Sequence, residues 1–308
     1  LSGTGRSDLM DVMLMPTTAD LKLNPGSKDK PDEGYRSRFS HDEESASPGY
    51  YKVRLKDYDI MAELTVSPRC GFHRYTFPES KSSHIILDLS RHFATDSVLF
   101  TSINKIDSCT IIGERRTKGW GEPGEKYWSE QQLFFALKVS RAFDLSIVSD
   151  RRFIQEKQAS GKNIKAVLDF ETSLNEMVLV KVGISAVSAE NALQNLSEEI
   201  PHWDFNKTLS ETQSVWEKEL SKIKVEAPNK NKTIFYTALY HSLLAPYLYK
   251  DVNEEYLGFD KQTHIAKEFN NYTVLSLWDT FRAENPLLTL IAPDKVNDLI
   301  QSMLAQYN

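Results

Sequence analysis

The hydrophobic period of this chain changes once, near Ser185, and that change limits the architectures open to it. From Tyr50 to Ile184 apolar residues recur at every second position: Tyr51, Val53 and Leu55, then Ile60, Ala62, Leu64 and Val66, then Leu133, Phe135, Leu137 and Val139. Residues 83–89, 98–103, 108–113, 164–170 and 177–184 read as further strands, and a short apolar strand is predicted at 11–16. Strand side chains point alternately to opposite faces, so each such strand needs a covering layer on one side. Many strands separated by turns, with no βαβ rhythm, predict an antiparallel sandwich.

After Ser185 the spacing becomes helical. Ala189, Ala192, Leu193, Leu196 and Ile200 lie on one stripe, with Ser188 as the N-cap. The run IPHWDFN (200–206) breaks this helix. Thr208 and Glu211 have capping-box spacing for a second helix carrying Leu209, Trp216, Leu220 and Ile223. EAPNKNK (226–232) reads as a polar linker. Residues 233–245 are apolar on most faces, and a further helix is expected over about 277–291. The last helix starts at Pro293 and carries Val296, Leu299, Ile300, Met303 and Leu304. Three largely apolar helices cover one another poorly, so the helical domain is expected to continue beyond Asn308. The expected boundaries are a sandwich over 1–186, a helical linker over 187–230 and a helical domain over 231–308.

The chain's 308 residues, 40% of them hydrophobic, suffice for two cores. A net charge of −6 lacks the basic excess of a nucleic-acid binder and suits a neutral ligand. No apolar run is long enough to span a membrane. The only two cysteines, Cys70 and Cys109, sit in strand-like runs and are expected as free thiols. HExxH, CxxC and GxSxG are all absent, which argues against zinc and serine-hydrolase chemistry. His41, His73 and His241 are expected to be structural. Asp8 and Asp11 follow a Gly-rich SGTG turn, but two carboxylates are too few for the six to eight oxygens that calcium takes.

The stretch most suggestive of chemistry is SLWDTFRAENPLL (276–288). It sets Trp278, Asp279 and Arg282 at the start of a helix. An indole face stacks on the C–H face of a sugar ring, and an ionised carboxylate accepts hydroxyl hydrogen bonds of the strong, charge-assisted kind. The same spacing also serves a structural role, with Asp279 in the first turn favouring the helix dipole and Arg282 as its i+3 partner. Trp120, in the loop GWGEPG, is either an exposed ligand contact or an aromatic folded onto the sheet. Glycosidase carboxylates meet in space rather than along the chain, so spacing selects no acid or base.

Longer runs carry a resemblance. LSGTG (1–5), MPTT (15–18), YRSRFSHDEESASPGYYKV (35–53), GFHRYTFP (71–78), VKVGISAVSAENALQNL (180–196), IPHWDF (200–205), FYTALYHSLLAP (235–246) and SLWDTFRAENPLLTLIAPDKVNDLIQSML (276–304) resemble, in order, the α-mannosidases of glycoside hydrolase family 92. The resemblance implies a galactose-mutarotase-like β-sandwich, a helical linker and the first helices of an (α/α)6 barrel, with the active site between the domains. It implies an exo-acting, calcium-dependent hydrolase that removes terminal α-mannose from mannose-rich glycans with inversion, in the periplasm, at the cell surface or secreted. It places Trp278 and Asp279 beside the terminal mannose, with Gly3, Thr4 and Trp120 as further substrate-binding candidates and Arg282 as a structural partner of Asp279. The general acid, the general base and most calcium ligands are expected beyond Asn308, so no catalytic or metal residue is assigned and the chain alone is expected to be inactive. A non-catalytic carbohydrate-binding or structural sandwich module is the alternative.

Overall fold

The computed structural model describes residues 10–27, 29–91, 97–119, 129–150 and 152–307. In chain order the sandwich strands are β1 (Met13–Thr18), β2 (Glu44–Ser47), β3 (Tyr50–Leu55), β4 (Ile60–Val66), β5 (Cys70–Phe77), β6 (Ser80–Asp88) and β7 (Ser97–Lys105). They continue as β8 (Thr110–Gly119), β9 (Ser129–Val139), β10 (Asp144–Ser149), β11 (Arg152–Ile154), β12 (Gln158–Gly161), β13 (Ile164–Thr172) and β14 (Glu176–Ser185). Five form one sheet in the order β1-β6-β13-β10-β11, and nine form the other in the order β12-β7-β8-β9-β14-β5-β4-β3-β2. Every pairing is antiparallel. The expected sandwich is therefore present. The short strands β2, β10, β11 and β12 were not anticipated, since none carries enough alternation to show in sequence.

The inward faces meet in one core. Ile60, Phe77, Ile85, Leu87, Ile111, Phe135, Leu137, Ile147, Ile164 and Leu168 are fully enclosed there. Burial of such side chains stabilises by roughly 1.5–3 kcal/mol each. Asp88 is completely buried on β6 and accepts from the Tyr35 hydroxyl at 2.8 Å, Lys165 Nζ at 2.6 Å and the Ser90 hydroxyl at 2.6 Å. Burial, followed by the Asp88 charge, pushes the Tyr35 phenol far up, so it stays a donor. Cys70 and Cys109 are both free thiols.

Helix α1 (Ala189–Glu199) lies on the outward face of the nine-stranded sheet, over β14 and β9. Ser188 caps it as expected, its hydroxyl accepting from Asn191 N–H at 3.0 Å. The approach is close enough to demand glycine in the strand beneath, because a Cβ on Gly183 would sit 2.3 Å from the Ala192 carbonyl oxygen. Lys181 Nζ, reaching up from the same strand, donates to the carbonyls of Ile200 at 2.8 Å and His202 at 3.3 Å at the helix's C-terminal end. The ammonium also stands 4.1 Å from the Trp203 ring centroid, and burial pushes it down to about 8.

Helix α2 (Phe205–Leu220) begins three residues before Thr208, the residue expected to cap it. The Asp204 carboxylate is placed to cap instead, accepting from Lys207 N–H at 3.0 Å. Thr208 is buried within the helix body. The described chain divides within α2, between Leu209 and Ser210, into two compact units.

The second unit contains α3 (Asn229–Leu243), two small two-stranded antiparallel sheets, α4 (Leu277–Thr280), α5 (Glu284–Ile291) and α6 (Pro293–Tyr307). Helix α3 starts inside the expected polar linker, directly after Pro228. The single helix expected over 277–291 is two helices with a turn at 281–283. Leu288, Ala292 and Leu299 pack with Leu243, Tyr272 and Val296, while Leu290, Ile300 and Leu304 are exposed. His241, expected on a buried helix, is exposed on α3, because Leu239 is the buried residue of that helix. No helix among the described residues is long and apolar enough to cross a membrane.

Candidate functional site

Helix α4 presents Trp278 and Asp279 together. Trp278 is 80% exposed, with its indole free of a covering neighbour layer. Asp279 occupies the first turn of α4, and its Oδ2 accepts a 2.6 Å hydrogen bond from the Ser276 hydroxyl. Ser276 sits at the N-cap position, yet its side chain caps no backbone amide. Its proton orients the carboxylate instead. One carboxylate oxygen is held by protein and the other can receive a ligand hydroxyl beside the Trp278 ring. Ser276 was not singled out from the sequence as a partner of Asp279. Its signal was the S-x-x-D spacing of Ser276 to Asp279, the spacing of a capping box.

Arg282 does not pair with Asp279. Its guanidinium stands 5.4 Å from the centroid of the Phe281 ring. The i,i+3 geometry of an ion pair requires a continuous helix. Helix α4 ends at Thr280, so Arg282 falls in the turn and leaves the Asp279 face. In the following helix, burial pushes the Glu284 carboxyl up and the Lys295 ammonium of α6 down.

Gly3, Thr4 and Trp120 lie outside the described residues, as does Asp8. Asp11 pairs with the buried Arg115 guanidinium, which also donates to the Leu89 carbonyl at 3.1 Å and to the Arg91 carbonyl. That carboxylate is thus engaged in holding the start of β1 against β8. His73 faces the Tyr75 hydroxyl at 2.7 Å and is pushed down to about 4 by burial, as suits a structural, neutral imidazole. His41 Nδ1 meets Glu44 Oε2 at 2.5 Å. Among the described residues no group of three or more His, Cys, Asp or Glu side chains is placed to hold a metal ion. These residues by themselves therefore do not fit a calcium shell.

Two family models match the chain end to end. Residues 1–185 match the glycosyl hydrolase family 92 N-terminal domain, and residues 191–308 match the glycosyl hydrolase family 92 catalytic domain. The chain belongs to glycosyl hydrolase family 92. Among solved structures, it is similar to the family GH92 α-mannosidase BT3965 from Bacteroides thetaiotaomicron. Identity is 39% and the TM-score 0.94, and the match covers 100% of this chain and 42% of that one. The same enzyme in complex with mannoimidazole matches with a TM-score of 0.93 and 39% identity, over 100% of this chain and 40% of that one. The inverting mannosidase BT2199 from the same organism shares the fold at 21% identity and a TM-score of 0.80, over 96% of this chain and 38% of that one. The chain thus spans about two-fifths of the length of these relatives. Among functionally curated proteins, none matches the sequence.

Proposed function

We propose that the protein is an exo-acting, calcium-dependent α-mannosidase that hydrolyses terminal α-mannosides of mannose-rich glycans with inversion. The observation that carries this reading is the 39% identity, over the whole of this chain, to a family 92 α-mannosidase. In this reading Trp278 stacks on the terminal mannose ring, and Asp279, oriented by Ser276, accepts hydrogen bonds from its hydroxyls. Both residues bind substrate and neither acts as acid or base. Gly3, Thr4 and Trp120 belong to the same proposed set. Inversion requires an acid on the leaving oxygen and a base on a water, with the two carboxyls about 6.5–9.5 Å apart. No described carboxylate is assigned to either role, and the isolated 308-residue chain is expected to be inactive. Calcium belongs to the proposal, with ligands mainly outside this chain. Action on extracytoplasmic glycans, in the periplasm, at the cell surface or after secretion, is proposed for the same reason of substrate.

The test is mannose release by the intact protein from an aryl α-mannoside and from linkage-defined disaccharides, with the anomer of the first product read by NMR. The expected result is β-mannose as initial product, with turnover lost on chelation and restored by calcium. Initial α-mannose would overturn inversion. Turnover indifferent to chelation would overturn calcium dependence. No release from any α-mannoside would overturn the reading as a whole and favour a carbohydrate-binding module.

A further inference from the structure

The outward face of the nine-stranded sheet carries a groove of about 620 Å³ at its β12 end, beside the N-terminus of α1. Its floor follows from strand register. Ser160 pairs with Ser102, Ser102 with Glu114, and Glu114 with Phe134, so one row of side chains crosses β12, β7, β8 and β9. Gln158 and Asn104 pair in the adjacent row. With strands about 4.8 Å apart, the row spans about 14 Å, the reach of a short oligosaccharide. The volume lies within the roughly 300–1,000 Å³ of small-ligand sites.

This floor gathers neutral polar side chains in adjoining rows. Several outward polar side chains elsewhere on this face are consumed by the protein. Lys181 holds the carbonyls of Ile200 and His202, Arg74 holds Glu63 and Asn206, and Ser185 accepts from Val187 and Ser188 N–H groups. The side chains of Ser102, Asn104, Gln158 and Ser160 have no such partner among the described residues. They offer two hydroxyls and two amides, each both donor and acceptor, around one aromatic face, Phe134. The one carboxylate in the row, Glu114, is matched by Arg116 at 2.9 Å and by the Gln132 amide at 3.0 Å. The exposed Glu156 carboxylate lines the groove as well, and a carboxylate accepts from hydroxyls, so a ligand suited to this set carries no negative charge, is rich in hydroxyls and is flat on one side.

We propose that this groove is a binding site for a neutral oligosaccharide, with the glycan chain lying across β12, β7 and β8 and one sugar ring against Phe134. That the glycan is of mannose type rests on the function proposed above. Such a site would hold the intact protein on polymeric substrate without taking part in bond cleavage.

The test uses the intact protein in native affinity electrophoresis through gels containing soluble α-mannan, with turnover of an aryl α-mannoside measured in parallel. The small substrate does not need the groove. Wild type is expected to be retarded. The double substitution Asn104→Ala with Gln158→Ala is expected to weaken retardation about tenfold, the loss of two modest hydrogen-bonding groups, and to leave aryl-mannoside turnover within about twofold. Both positions are on the outward face of the sheet, away from the sandwich core, and Gln158→Lys serves as a second variant that blocks the groove without shortening a side chain. Unchanged retardation of both variants would overturn the proposal. So would a parallel fall in retardation and turnover, which would indicate damage to the fold, or wild-type protein that turns over substrate but is not retarded. Retardation of wild type and its loss in the variants, with no turnover in either, would support the groove and count against the mannosidase reading.

Discussion

Asp279 is held by a single neighbour. The Ser276 hydroxyl donates to one of its carboxylate oxygens at 2.6 Å, and among the described residues no cation shares the carboxylate, since Arg282 turns towards Phe281. A carboxylate placed this way is available to accept from ligand hydroxyls, with no salt bridge competing for it among the described residues. In the intact protein, Asp279→Ala is expected to lower kcat/KM for an aryl α-mannoside by about tenfold to a hundredfold, on the scale of charge-assisted hydrogen bonds of about 1.5–3 kcal/mol, while thermal stability holds. Near-normal turnover would return Asp279 to a helix-capping role. Ser276→Ala removes only the group that orients the carboxylate. It is expected to raise KM about threefold to tenfold with kcat little changed, on the scale of one neutral hydrogen bond. Equal loss in kcat and KM effects of Asp279→Ala size would argue that Ser276 contacts substrate itself.

At the scale of elements, the joint between β14 and α1 is tight. Gly183 lies under the Ala192 carbonyl and 2.9 Å from Leu196 Cβ for any added methyl group, and Lys181 ties the far end of the helix to the same strand. Gly183→Ala therefore has to push the helix off the sheet. The expected cost is about 1–3 kcal/mol, the usual range for overpacking, read as a lower denaturation midpoint with an unchanged slope. A midpoint equal to wild type would show that α1 can shift freely. The same joint explains why IPHWDFN breaks the helix where it does. Ile200 and Phe205 enter a cluster with Cys70, Phe72 and Leu196, and Asp204 starts the next helix.

At the scale of the whole molecule, the five-stranded sheet carries a pH-sensitive tie. His84 Nδ1 faces Asp169 Oδ1 at 2.5 Å, while Nε2 faces the Ala19 carbonyl at 3.1 Å. With an acceptor at each nitrogen, the doubly protonated ring fits best. Burial opposes the charge, but the hydrogen bonds to Asp169 and Ala19 outweigh it and raise the His84 pKa above its ordinary 6.5. A raised folded-state pKa stabilises fully below the unfolded value and ceases to do so as pH rises through the folded value. Wild type is therefore expected to lose thermal stability between about pH 6.5 and the raised pKa, and His84→Gln to flatten that slope. Identical pH profiles for the two proteins would remove His84 from the account.

Much of this was legible along the chain. Period-two stretches such as 60–66 and 133–139 located long strands, and Ser188 marked the first helix, because burial on one face leaves a repeating pattern. Long motif runs identified the family and brought Trp278 and Asp279 forward together, since neighbours in sequence remain neighbours on one helical turn. What the sequence by itself determined was therefore local or periodic: the long strands, the start of the first helix, free thiols, family membership and the adjacent pair on α4. Tertiary structure alone decided which polar groups are consumed and which stay available. Asp11 is engaged by Arg115 across a separation of 104 residues, whereas Asn104 and Gln158, paired across β7 and β12, stay without a partner among the described residues. It also ended α4 at Thr280 and so parted Arg282 from Asp279. The physical reason is range: periodic burial is written into consecutive residues, while hydrogen bonds and ion pairs depend on which distant strands the sheet order sets side by side.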